Sequence, residues 1–143
     1  MKAEVAVALT PLLGRAIWAA GRSADLVWLQ IGERRMVPNG GDGQREVGTH
    51  ALHLACPWRL VDRERLLVGS GDLLTPADPE AEIETFDWDV PGSNWLDVRL
   101  AELWSVFSAA PPLIQGVEPD QYGGFALHLT GGMRLEVFPN STP

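Results

Sequence analysis

Alternation with a period of two recurs along most of this chain, and one segment alone replaces it with clear helical spacing. That contrast constrains the fold more than any other feature. Between residues 50 and 60, HALHLACPWRL, one side carries His50, Leu52, Leu54, Cys56, Trp58 and Leu60. This is the pattern of a half-buried strand. The opposite side, with Ala51, His53, Ala55, Arg59 and Val61, is half-polar. Asp62, Arg63 and Glu64 read as a solvated turn, after which the chain returns through residue 69. Pro57 cannot donate to a ladder, so the strand is expected at an edge or bulged there.

The helical segment is 94–109. Asn94 or Ser93 can cap it, and Asp97 falls in its first turn, where the dipole favours a negative charge. Leu96, Leu100, Leu103 and Phe107 form one apolar stripe, and Pro111–Pro112 ends it. A helix with one such stripe lies on a sheet.

Other segments follow the strand pattern. Residues 3–9 read as a short strand ended by Thr10–Pro11. Residues 15–21 and 26–32 flank the turn-like GRSAD, with Val27, Leu29 and Ile31 on a core face. A helix through 11–20 competes, because Leu12, Leu13, Ala16 and Ala20 also fit a period of 3.6; glycines at both ends favour strands. PNGGDG, 38–43, is a flexible loop without the Lys-Ser/Thr ending of a phosphate cradle.

The last third reads as a three-stranded meander over 113–118, 124–129 and 133–138. A two-residue turn at Gly131–Gly132 would set Leu129 against Arg134 and mix the faces. A three-residue loop, 130–132, sets Leu129 by Met133, Leu127 by Leu135 and Phe125 by Val137. That loop, with a glycine bulge, is the expectation, and it turns His128 away from the core. The whole is expected to be α+β: one domain over 1–143, a twisted antiparallel sheet of six to eight strands, and the 94–109 helix packed on it.

Residues 75–93 read as an irregular connection enclosing a short strand. In it Phe86, Trp88 and Val90 alternate with Asp87 and Asp89, after Glu82 and Glu84. The charge of the chain, −8, is concentrated here. Residues 1–65 hold nine of the eleven bases and seven acids, whereas residues 66–110 hold nine acids and only Arg99. An acidic middle disfavours nucleic acid and suits a basic protein partner. The expected partner-binding residues are therefore Glu82, Glu84, Asp87, Trp88, Asp89 and Trp95, with the tryptophans as aromatic anchors. The competing explanations are plain solubility and an acidic edge that discourages sheet-to-sheet pairing.

Chemistry has weaker support. His50, His53 and Cys56 are metal-ligand types spaced by three, but on a strand His53 faces away, and His50 and Cys56 stand about 20 Å apart at ~3.3 Å per residue. An enzyme would draw on His50, His53 and His128 with nearby carboxylates, or on Cys56. No nucleophile or metal motif accompanies them, so no catalytic residue, metal or cofactor is assigned. A small-ligand pocket between sheet and helix is the alternative, one that six tryptophans would suit as well as they suit a core. The single cysteine excludes an internal disulfide and fits a reducing, cytoplasmic setting. No stretch reads as a signal peptide or a membrane span, so no membrane partner is expected. A homodimer through a strand edge is compatible with each reading.

Four strings together, GRAIWAAGRSADLVWLQIG, HALHLACPWRL, VGSGDL and GGMRLEVFP, resemble an uncharacterised family of small bacterial proteins of the kind common in actinomycetes. Ten arginines to one lysine fit a GC-rich genome. The closing hairpin, with its glycine turn and LEVFP ending, is similar to that of small immunity-type proteins that neutralise polymorphic bacterial toxins. The first resemblance covers most of the chain, the second its last twenty or so residues. Neither implies a catalytic residue.

Overall fold

The computed structural model describes residues 1–142. Its elements are helix α1 (Lys2–Leu9), a 3-10 turn at Thr10–Leu12, strands β1 (Ile17–Ser23), β2 (Leu26–Pro38), β3 (Gln44–Leu54), β4 (Trp58–Val61) and β5 (Leu66–Gly69), helix α2 (Trp95–Phe107), and strands β6 (Ile114–Pro119), β7 (Phe125–Leu129) and β8 (Met133–Val137). The fold is α+β, and its eight strands divide into two antiparallel sheets, ordered β1-β2-β3 and β5-β4-β8-β7-β6.

The division falls where Pro57 stands. The expected strand over 50–60 is two strands in different sheets, β3 and β4, and residues 55–57 carry the chain across the corner. The Pro57 carbonyl still accepts from the Phe138 N–H, so only the missing donor interrupts pairing. A second join lies at the bridge between Ala16 and Leu113, with the Ile17 N–H donating to the Pro112 carbonyl. Tied at both places, the sheets share one core. Ile17, Val27, Leu29, Ile31 and Leu54 from the first meet Trp58, Leu60, Ile114, Leu127, Leu129, Leu135 and Val137 from the second. Leu96 and Leu100 of α2 close it. A wholly apolar cavity of about 20 Å³ remains between α2 and the sheets. That is room for about one water, far below the several hundred Å³ of a ligand pocket.

The meander has the expected register: Leu129 opposite Met133, Leu127 opposite Leu135, Phe125 opposite Val137. Its loop is Thr130–Gly132, with Gly131 and Gly132 both at positive φ. The β1–β2 hairpin forms with Val27, Leu29 and Ile31 buried as expected, but its turn is only Ala24–Asp25, and Gly21–Ser23 of the expected GRSAD turn belong to β1.

Two further segments differ from expectation. Residues 3–9 are helical. Ala-Val alternation in KAEVAVAL satisfies both periods, and helix formers decide it. Val5 and Leu9, one turn apart, face the core together with Leu12. Residues 86–90 form turns and no strand. Their polar groups are taken up locally: Asp87 Oδ1 accepts from the Asp89 N–H, and the Asp87 carbonyl accepts from Ser93 Oγ.

Candidate functional site

The acidic segment is a loop with tied ends. The Ala77 N–H donates to the Ser93 carbonyl and the Trp95 N–H to the Thr75 carbonyl, both at 2.8 Å. The chain between closes on itself as a compact surface loop, a form that often carries function.

One side chain from the first sheet pins this loop. Arg22 pairs across the hairpin with Val27, which is buried, so it projects from the core face of the sheet at its rim. An arginine there needs acceptors. Its Nε and Nη2 bind the two carboxylate oxygens of Asp97 at 2.7 and 2.9 Å, and Nη1 binds Asp89 Oδ1 at 3.0 Å. Nη1 also donates to the Ala24 carbonyl, and Nη2 to those of Trp88 and Asp89. The Arg22 side chain is 8% exposed and that of Asp97 18%. This bidentate fork is the geometry that distinguishes arginine from lysine.

Asp97 is itself shared. It accepts from the Gly92 N–H and from Asn94 Nδ2, while its own N–H donates to Asn94 Oδ1. Asn94 thus caps α2, fully buried, and its amide also reaches the Trp88 carbonyl. Hydrogen bonding from Arg22, above all, holds the Asp97 carboxyl below the usual carboxylate range, against the opposing effect of burial.

The expected partner residues separate into two groups. Glu82, Glu84 and Asp87 are exposed, together with Asp78 and Glu80. Trp95 is 39% exposed at the start of α2. By contrast Trp88 is partly buried against the core, and Asp89, though 59% exposed, is committed to Arg22. The loop adds two apolar groups that charge reasoning passed over, Ile83 (69% exposed) and Val90. Residues 77–93 contain six acids and no base. Only Asp89 among them has an ion-pair partner among the described residues.

Beside the loop runs an open groove of about 540 Å³ between β1 and α2. Ala20 and Gly21 line its strand side, Ala101 and Trp104 its helix side, and Asp89 and Gly92 its rim.

The histidines and the cysteine are not brought together. His50 and His53 pair with Ile31 and Trp28, residues on opposite faces of β2. His128 stands on the outer face of the other sheet, its Nε2 at 2.9 Å from Glu118 Oε2. Cys56 lies at the corner between sheets, where burial pushes its thiol pKa up, away from the reactive thiolate. Among the described residues no three His, Cys, Asp or Glu side chains are grouped to hold a metal. Among the same residues no helix is long and apolar enough to cross a membrane.

Arg22 is the residue that reading the sequence missed. Its signal was present: within the hairpin it falls on the face shared by Val27, where a lone charge demands a buried partner. Comparison with family models, curated proteins and solved structures returned no match.

Proposed function

We propose that this chain is a non-catalytic protein-binding module that docks its 77–93 loop on a basic partner. One observation carries the reading: five exposed carboxylates without ion-pair partners share a tied, pinned loop with exposed Ile83 and Val90. Charges supply attraction and orientation, and apolar side chains supply the desolvated contact. A loop already ordered by Arg22 also loses less entropy on docking. The contact residues are Glu82, Ile83, Glu84, Asp87, Val90 and Trp95, while Trp88 and Asp89 hold the loop in shape. The similarity of the closing hairpin to immunity-type proteins supports a partner of the toxin class, and the single cysteine supports a cytoplasmic setting.

The test is a photo-crosslinker placed at Ile83, used in a lysate of the source organism. It should capture a basic protein, and capture should fall in about 1 M salt, where screening acts within about 3 Å. The variant combining Glu82→Gln, Glu84→Gln and Asp87→Asn should lose the same partner. Equal capture by that variant in high salt would remove the loop as the docking site.

A further inference from the structure

We infer that the free edge of β1, facing the groove beside α2, receives an extended, arginine-bearing segment of the partner as an added strand. This rests on the docking reading above and names the second half of that interface.

The argument begins with main-chain parity. Ser23 and Leu26 flank a two-residue turn, so they bond to each other, and bonded pairs then alternate: Ser23–Leu26, Gly21–Trp28, Ala19–Gln30. Ala20 and Arg22 sit at the positions between. Their N–H and C=O groups point away from β2, toward the outer edge. Beyond the Ala16–Leu113 bridge, no strand among the described residues pairs with that edge. The free stretch borders the groove, since Ala20, Gly21 and Arg22 all line it.

Natural edges are blunted by lysine, proline, bulges or a covering element. Here the side chains at 19–21 are Ala, Ala and Gly, and the only charged one, Arg22, is drawn into its hub. The bulge between Ile17 and Ala19 lies just before this stretch and the Trp28 indole of β2 lies over Gly21, but at 19–21 an adding strand meets only small side chains of β1 itself. It would lie beside Ala101, which is exposed, and Trp104 of α2.

The chemistry of the occupant follows from the rim. Asp89 gives Oδ1 to Arg22 but its side chain stays 59% exposed, so it can hold the loop and still face a second base, and the five other acids continue from it along the loop. A segment with alternating basic side chains would set one against Asp89 while its main chain pairs with Ala20 and Arg22. Strand addition takes affinity from the main chain and specificity from alternate side chains.

The probe is a short capped peptide of alternating valine and arginine, compared with the same peptide N-methylated on its pairing amides. Both are titrated into the labelled protein at low salt and followed by amide NMR. Expected are shifts at residues 19–22, Gly92 and Ala101, slowed exchange of the Ala20 and Arg22 amides, and binding about tenfold or more weaker for the N-methylated peptide. Ala101→Trp, a substitution at an exposed helix position, should fill the groove and cancel the shifts at 19–22. Equal binding of the two peptides, or shifts confined to 82–87, would overturn strand addition and leave the acidic loop as the site. No shift anywhere would overturn this inference and the docking reading with it.

Discussion

The β6–β8 meander and the 77–93 loop are both surface-reaching segments, yet they are specified by different physics. In the meander the β7–β8 register is set by residues close in sequence, although β8 also pairs with the distant β4. One slip of register would expose Leu127 and Leu135 and bury Arg134, so the alternation admits one solution. In the loop, shape is set by Arg22, which lies 75 positions from Asp97 and 67 from Asp89. Local pattern determines a segment when hydrophobic burial decides it. It fails when a distant polar group captures the main chain first.

The sharpest way to break the comparison is to attack the meander's core. Leu127 is fully buried, and Leu127→Ala should cost about 3–4 kcal/mol through lost transfer energy and the cavity left behind. Thermal unfolding should shift as a single transition, with the loop and the meander losing protection together. A loop that melts separately in this variant would show that it is not coupled to the shared core.

Arg22→Gln attacks the other side. Glutamine cannot supply the fork, so Asp97 loses two of its donors, the Asp89 carbonyl loses the one from Arg22, and the Trp88 carbonyl keeps only Asn94 Nδ2. The expected cost is about 2–3 kcal/mol, since Asp97 remains largely buried and keeps only the Gly92 and Asn94 donors. Hydrogen exchange should quicken at 77–93 far more than in β7 and β8. The pH dependence has a definite sign. The folded pKa of Asp97 lies below 3.8, so the stability it contributes is present above that value and lost as pH falls through the folded pKa. The gap between the native chain and Arg22→Gln should be constant near neutrality and narrow below about pH 4. A gap unchanged at low pH would mean that Arg22 acts through the carbonyls alone.

The same division explains what could be read in advance. The α2 stripe, the β1–β2 hairpin and the β7–β8 register are statements about neighbours, and each has one low-energy answer. KAEVAVAL offers two, because alternating Ala and Val suit a strand face while Val5 and Leu9 suit a helix face. FDWDV has perfect alternation, but Asp87 and Ser93 turn the chain locally, and Arg22 and Asn94 take the Trp88 carbonyl that a ladder would need. Pro57 announced an interruption; that it parts two sheets depends on β4 pairing with the distant β8 while β3 pairs with β2, which no local pattern encodes. At the candidate site, Glu82, Glu84 and Asp87 were legible as solvated charges. Which of the remaining residues hold the loop depends on one arginine on another element.

The smallest effect tests whether the meander needs its turn chemistry once burial has chosen the register. Gly131 has φ of 79°, and a Cβ built there meets only Met133 Cε at 3.8 Å, so Gly131→Ala adds conformational strain and no clash. Gly132, also at positive φ, would instead bring a Cβ within 2.7 Å of Arg63 Nε, mixing the two terms. The expected cost of Gly131→Ala is about 1 kcal/mol, the preference of alanine against the left-handed region. Cross-strand contacts between Leu129 and Met133 should persist in NMR. If burial specifies the register, the denaturation midpoint moves by that small amount and the pairing stays. A loss of several times that size with altered pairing would place the specification in the turn, and the meander would then depend on two glycines much as the loop depends on Arg22.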